Sequence, residues 1–241
     1  MEATLTLPPP AYSGPRPEAA PQPAGPIDLT ALERLSADSE TGYSAAESLI
    51  SPETSALLAT EVERFRTTHP DMFERREPRA DSVKLHEDYF GLTPESTYIK
   101  IDDPAEFADE YPGLFSVITQ LGERMDMEPG ELVFNFFEPG VMTPLHQDDT
   151  AGLSTTISLS LKGAGEIQIW QSFPGEPDTI PVEPGTAVRF AMTGGPFHFK
   201  SHIHAGLNPR RPDGNDGERI SVGLIFYART TTNQTAVDAP H

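Results

Sequence analysis

Seven short runs between residues 131 and 229 are rich in β-forming residues: "ELVFNFF", "STTISLSL", "EIQIWQ", "TIPV", "TAVRFAM", "HFKSHIHAG" and "RISVGLIFYAR". Pro-Gly, Gly-Ala-Gly and Asp-Gly turns punctuate them. Such spacing reads as six to eight strands of a barrel or sandwich. The preceding stretch, residues 28–127, reads as helical and is expected to brace the barrel on one side. Leu29, Leu32 and Leu35 recur at helical spacing. Ser51-Pro52-Glu53 is a helix start, with a capping residue, a proline at the first position and an acid at the positive dipole end. It leads an apolar stripe of Leu57, Leu58, Val62 and Phe65 that runs to Thr67. Asp103-Pro104-Ala105-Glu106 is a second start, leading past a break at Pro112-Gly113 into "LFSVITQLGERM".

The flanks read differently. Residues 1–27 are proline-rich with few large apolar groups, so they cannot bury enough surface to offset their ordering entropy. A disordered arm is expected there, and a flexible tail over 230–241. One domain then covers 28–229, with helical support over 28–127 and a barrel over 131–229. No run of roughly 18 apolar residues is present, and the N-terminus lacks a charged-then-apolar leader, so a cytoplasmic protein is expected.

Charge narrows the partners. With 17 basic and 37 acidic residues the net charge is −20, which repels phosphate backbones and anionic lipid surfaces. The densest basic points are only Arg75-Arg76 and Arg210-Arg211. The chain has no cysteine, which excludes disulfides, thiolate nucleophiles and Cys-ligated zinc. Any metal must be held by His, Asp or Glu.

Two places could do so. In "GVMTPLHQDDT", His146 and Asp148 lie two apart, so in an extended segment both point the same way. Their bland reading is a solvated acidic loop. Further on, "GPFHFKSHIHAGLNP" places His198, His202 and His204 on one strand parity, three of the seven histidines in the chain. Two His and one carboxylate on one face of a barrel make the facial triad of non-haem Fe(II) chemistry, leaving open coordination positions. An acidic co-substrate would need a buried cation. Arg219 opens the strand after the histidines, and Ser221, two residues on, points with it. A buried arginine must find an anion, and a core carboxylate is the structural alternative to a ligand.

In order, "NFFEPGVMTPLHQDD", "VEPGTAVRF", "HAGLNP" and "ERISVGLIFYAR" resemble the 2-oxoglutarate- and Fe(II)-dependent oxygenases over residues 131–229. The resemblance implies a mostly β fold with flanking helices, the double-stranded β-helix (jelly-roll, cupin-like) barrel. It implies that His146, Asp148 and His204 hold Fe(II), with His204 preferred to His202 because "HAG" before a turn suits the distal position. Arg219 and Ser221 would bind the far carboxylate of 2-oxoglutarate, and Asn135 would contact the same co-substrate. Phe137 stands where a tyrosine is common. With Asp148 in place and O2 as oxidant, hydroxylation or a related C–H oxidation of a small molecule follows. Substrate-facing groups are expected from "KLHEDYFGLTPESTYIK", namely His86, Tyr89 and Tyr98, together with Arg210.

Two alternatives stay open. "LHQDD" with the upstream Asn also resembles AlkB-type nucleic-acid demethylases, although those carry a second arginine where Ile225 stands here and need a basic face. A cupin-type metal-binding protein without oxygen chemistry would share the barrel but would have no use for the Arg219–Ser221 clamp.

Overall fold

Alternation along the strands sorts their side chains into two populations, one for each face of a sheet. In the computed structural model of the protein, residues 27–36, 42–75, 92, 94, 96–150, 154–172, 175–191, 193–194, 199–200, 203–209 and 217–229 are described. For 149, 150, 191, 193, 194, 199 and 200 only the backbone is described.

The larger sheet is antiparallel throughout and contains seven strands, numbered along the chain. Their order across the sheet is β1 (Tyr43–Ala46), β10 (Ala187–Ala191), β7 (Ser154–Lys162), β14 (Arg219–Ala228), β4 (Met127–Phe137), β3 (Thr97–Ile101) and β2 (Glu74–Arg75). The smaller sheet runs β5 (Val141–Met142), β13 (Ile203–Asn208), β8 (Gly165–Trp170) and β9 (Asp178–Val182). A short ribbon of β11 (Thr193–Gly194), β12 (Phe199–Lys200) and β6 (Asp149–Thr150) completes the set.

One parity of the central strands faces out. Leu132 and Phe134 of β4, Ile157 and Leu159 of β7, and Val222 and Leu224 of β14 are buried beneath three helices. These are α1 (Leu29–Ser36), α2 (Pro52–Thr68) and α3 (Pro112–Met125). Each such side chain contributes roughly 1.5–3 kcal/mol relative to exposure. The other parity, including Val133, Asn135, Ser158 and Ser221, faces the smaller sheet and lines a cavity of about 120 Å³ between the two. This is the double-stranded β-helix architecture, with helices on one outer face.

Ser51 caps α2 as its sequence suggests, its Oγ accepting from the Thr54 N–H at 3.2 Å. Three expectations need correction. The support region 28–127 is not purely helical, because β1, β2 and β3 all join the larger sheet. β1 ("YSAA") and β2 are too short to show a period, and β3 ("TYIKI") is short enough to pass for a loop edge. The Asp103 start produces only a 3₁₀ turn over Pro104–Phe107, with Asp103 Oδ1 accepting from Ala105 N–H at 2.9 Å. Pro112-Gly113, read as a break, is where α3 begins. Its capping residue, Tyr111, offers no side-chain cap to the helix. Instead Glu61 of α2 reaches across, its carboxylate accepting from the N–H groups of Gly113 (3.0 Å) and Leu114 (2.9 Å). Glu61 is buried, and the two orphan donors of a helix start are the natural partners of a buried carboxylate.

Candidate metal centre

β13 delivers His204 into the cavity, and the segment after β5 delivers His146 beside it. The two residues form an isolated antiparallel bridge. The His204 N–H donates to the His146 carbonyl at 2.9 Å, and the His146 N–H donates back at 3.2 Å. This reciprocal pair fixes the two imidazoles with their ring centroids 4.3 Å apart. Asp148, two residues beyond His146, turns its carboxylate to both. Oδ1 lies 3.9 Å from His146 Nε2, and Oδ2 lies 3.8 Å from His204 Nε2. One ligand atom from each of the three residues lies within 4.8 Å of the others.

Tautomer and orientation are set by neighbours. His146 Nδ1 sits 2.8 Å from the Pro144 carbonyl. A carbonyl only accepts, so Nδ1 carries the proton and the Nε2 lone pair points at the other two residues. His204 is buried, and Phe190 of β10 stacks on its ring at 4.2 Å with an interplanar angle of 21°. The donor set is two imidazoles and one carboxylate, gathered on one side of a cavity.

Arg219 lines the same cavity. It opens β14 directly opposite Phe137 of β4, and the next inward pair is Ser221 opposite Asn135. Its side chain is completely buried. Nη1 donates to the Leu207 carbonyl and Nη2 to Ser160 Oγ, both at a long 3.4 Å, while Nε has no partner. The guanidinium lies over the Phe137 ring, 4.7 Å from its centroid. Phenylalanine therefore supplies the flat face that a tyrosine would, without the hydroxyl. Among the described residues no carboxylate pairs with Arg219, so the structural alternative of a core ion pair is not what the fold provides. Burial alone pushes its pKa down to about 10. The neighbouring Asn135 Oδ1 is also buried without a partner.

Two glycines make room for this arginine. A Cβ on Gly165 would come within 2.6 Å of Arg219 Cδ and 2.4 Å of the Leu207 carbonyl. One on Gly206 would lie 3.1 Å from Arg219 Nη1.

The remaining expected residues are not gathered here. Tyr98 stands on β3 opposite Asn135, one strand out from the cavity, and its hydroxyl donates to Glu74 Oε2 at 3.0 Å. It does not line the cavity. His86, Tyr89, Arg210, His198 and His202 lie outside the described residues, as do the arm before residue 27 and the tail after 229. Sequence reading passed over Thr143, Thr156, Ser158 and Ile167, all of which line the cavity. The signal for two of them was present: in "STTISLSL" the hydroxyls of Thr156, Ser158 and Ser160 alternate with Ile157, Leu159 and Leu161.

No protein-family model matches the chain. No curated protein sequence matches it either. Solved structures do. A Pseudomonas putida prolyl-4-hydroxylase is similar at 19% identity and TM-score 0.50, covering 83% of this chain and 98% of that one. AviO1 from Streptomyces viridochromogenes Tue57 is similar at 17% identity and TM-score 0.52, covering 90% and 100%. A 2OG-Fe(II) oxygenase family oxidoreductase from Burkholderia pseudomallei gives 11% identity and TM-score 0.46, covering 84% and 91%. The first two likenesses carry the fold. The chain shares the double-stranded β-helix fold of these two proteins, and a His-x-Asp…His triad stands inside it.

Proposed function

We propose that this protein is an Fe(II)- and 2-oxoglutarate-dependent dioxygenase of a small molecule, its oxygenase domain spanning residues 28–229. One observation carries this reading. A single cavity has the His146–Asp148–His204 donor set on one wall and, on another, a fully buried Arg219 with no carboxylate partner among the described residues. A buried cation without a counter-ion is costly. An anionic ligand that is absent from the chain itself accounts for it.

The residues fit the two groups. His146 Nε2, His204 Nε2 and an Asp148 oxygen would hold the metal, a nitrogen-and-oxygen set suited to Fe(II). Arg219, with Ser221 beside it, would hold the far carboxylate of 2-oxoglutarate, and Asn135, whose Oδ1 is buried without a partner, lines the same cavity. When bound, the metal and co-substrate couple oxidative decarboxylation to oxidation of a C–H bond by O2. The chain's own contribution is positional. The His146–His204 backbone bridge and the Nδ1–H bond to Pro144 aim the ligands before any metal arrives. Phe190 and Ile167 keep water from that side of the site, and Arg219 fixes the co-substrate's register.

The net charge of −20 favours a small molecule over nucleic acid as substrate. A cupin-like metal protein would leave the Arg219 pocket without a purpose. The test is anaerobic binding of 2-oxoglutarate to Fe(II)-loaded protein, followed by the visible metal-to-ligand charge-transfer band. The band is expected in the wild type and lost in both His146→Ala and Arg219→Ala. Iron binding without any band would sink the co-substrate assignment and leave the cupin-like reading.

A further inference from the structure

The cavity extends beyond what the metal and co-substrate need. Along β14 its lining runs Arg219, Ser221, Gly223, Ile225. At ~3.4 Å per residue, Ile225 lies roughly 20 Å along the strand from Arg219. A five-carbon diacid anchored at the guanidinium does not span that length. Thr156 of β7 pairs directly with Ile225, and on its other side with Phe190, the residue stacked on His204. Thr156 therefore sits at the far end of the cavity, next to the metal ligands and away from Arg219.

Its hydroxyl is the unexplained group there. Thr156 is 6% exposed, and Oγ1 is buried without a hydrogen-bond partner. A buried hydroxyl left unpaired costs about 1–3 kcal/mol, so native folds rarely keep one without use. Thr155, one residue earlier, shows the contrast: its Oγ1 donates to the Phe190 carbonyl and accepts from Arg189 Nε. Ser158 continues the hydroxyl edge, and Val133 and Ile225 supply apolar surface beside it. Among the described residues, no ionisable side chain lines this end apart from the triad.

We infer that the space bounded by Thr156, Ser158, Val133 and Ile225 is a substrate subsite for an uncharged hydrogen-bonding group such as an amide or hydroxyl, and that Thr156 is its specificity-determining residue. This rests on the oxygenase reading above. Among the described lining residues, a carboxylate or phosphate in that space would find no basic side chain to pair with, and an ammonium no carboxylate other than the metal ligand Asp148.

The test uses matched pairs of small primary amides and their carboxylates as probes. Binding is followed by saturation-transfer NMR on full-length protein loaded with diamagnetic Zn(II) and 2-oxoglutarate, so no turnover is involved. Amides are expected to bind and carboxylates to fail. Thr156→Val should weaken the amides about fivefold, the loss of one neutral hydrogen bond, and Thr156→Ser should restore them. The Val variant keeps the β-branched shape, so its thermal midpoint without ligand should match or exceed that of the wild type. Equal binding of both probe classes, binding of neither, or amide affinity untouched by Thr156→Val would overturn the inference. So would a Thr156→Val variant that loses 2-oxoglutarate affinity, because Thr156 would then belong to the co-substrate. Absence of 2-oxoglutarate binding in the wild type would instead sink the oxygenase reading itself.

Discussion

Arg219 is held in the folded state at a cost. Its pKa is lowered by burial, so the charged form is disfavoured relative to the unfolded chain. Below a pH of about 10 the folded protein carries that penalty in full, and it is relieved as pH rises above that value. Replacing the guanidinium with an apolar chain of similar length removes the penalty. Arg219→Met is expected to leave the ligand-free protein as stable as wild type, or more stable by about 1 kcal/mol. That is roughly 2–4 °C in thermal midpoint for a chain of this size. The same variant should lose the stabilisation that 2-oxoglutarate confers on the metal-loaded wild type. Scanning calorimetry with and without the two ligands reads both quantities. A large loss of stability in the ligand-free variant would mean that Arg219 serves the fold and not a ligand.

At the level of elements, the Glu61 carboxylate joins α2 to the start of α3 and stands in for the cap that Tyr111 does not supply. Glu61→Ala leaves two N–H groups buried and unmet, and is expected to cost about 1–3 kcal/mol in urea denaturation. Glu61→Gln, which keeps one acceptor, should cost less, and neither change should alter metal affinity in the folded protein. Such a contact was not legible beforehand, because Glu61 and Gly113 are brought together only by helix packing. What could be read lay within single strands. His146 with Asp148 and Arg219 with Ser221 are i, i+2 pairs, and strand parity gives their common direction without knowledge of the neighbours. The partners across strands, Phe137 under Arg219, Phe190 on His204 and Thr156 beside Ile225, depend on register. Register is fixed by the whole sheet. Strands β1 to β3 escaped notice for a related reason: each is an outlying strand whose short sequence is stabilised by the sheet it joins.

For the whole molecule, charge and cavity point the same way. The net charge is −20 and the one basic side chain in the described cavity lining, Arg219, is completely buried, so a polyanion would gain little counterion release on approach. Fluorescence anisotropy with labelled single-stranded DNA is expected to show no binding even at about 50 mM salt, where electrostatic association is strongest. Saturable binding under those conditions would revive the nucleic-acid demethylase alternative. Among the described residues, no helix is long and apolar enough to cross a membrane.

β14 lies at the exact middle of the larger sheet, hydrogen-bonded to β7 on one side and β4 on the other, yet it is the last described strand in the chain. During synthesis the ribosome therefore releases β4 and β7 long before the strand that separates them. Until residue 228 has emerged from the exit tunnel, those two strands face each other across a gap, and neither Arg219 nor Ser221 has reached the cavity wall. Assembly of the site therefore waits on the last described strand, which completes it by entering between two waiting edges. Nascent chains stalled before residue 219 should be protease-sensitive throughout, with no protected barrel fragment.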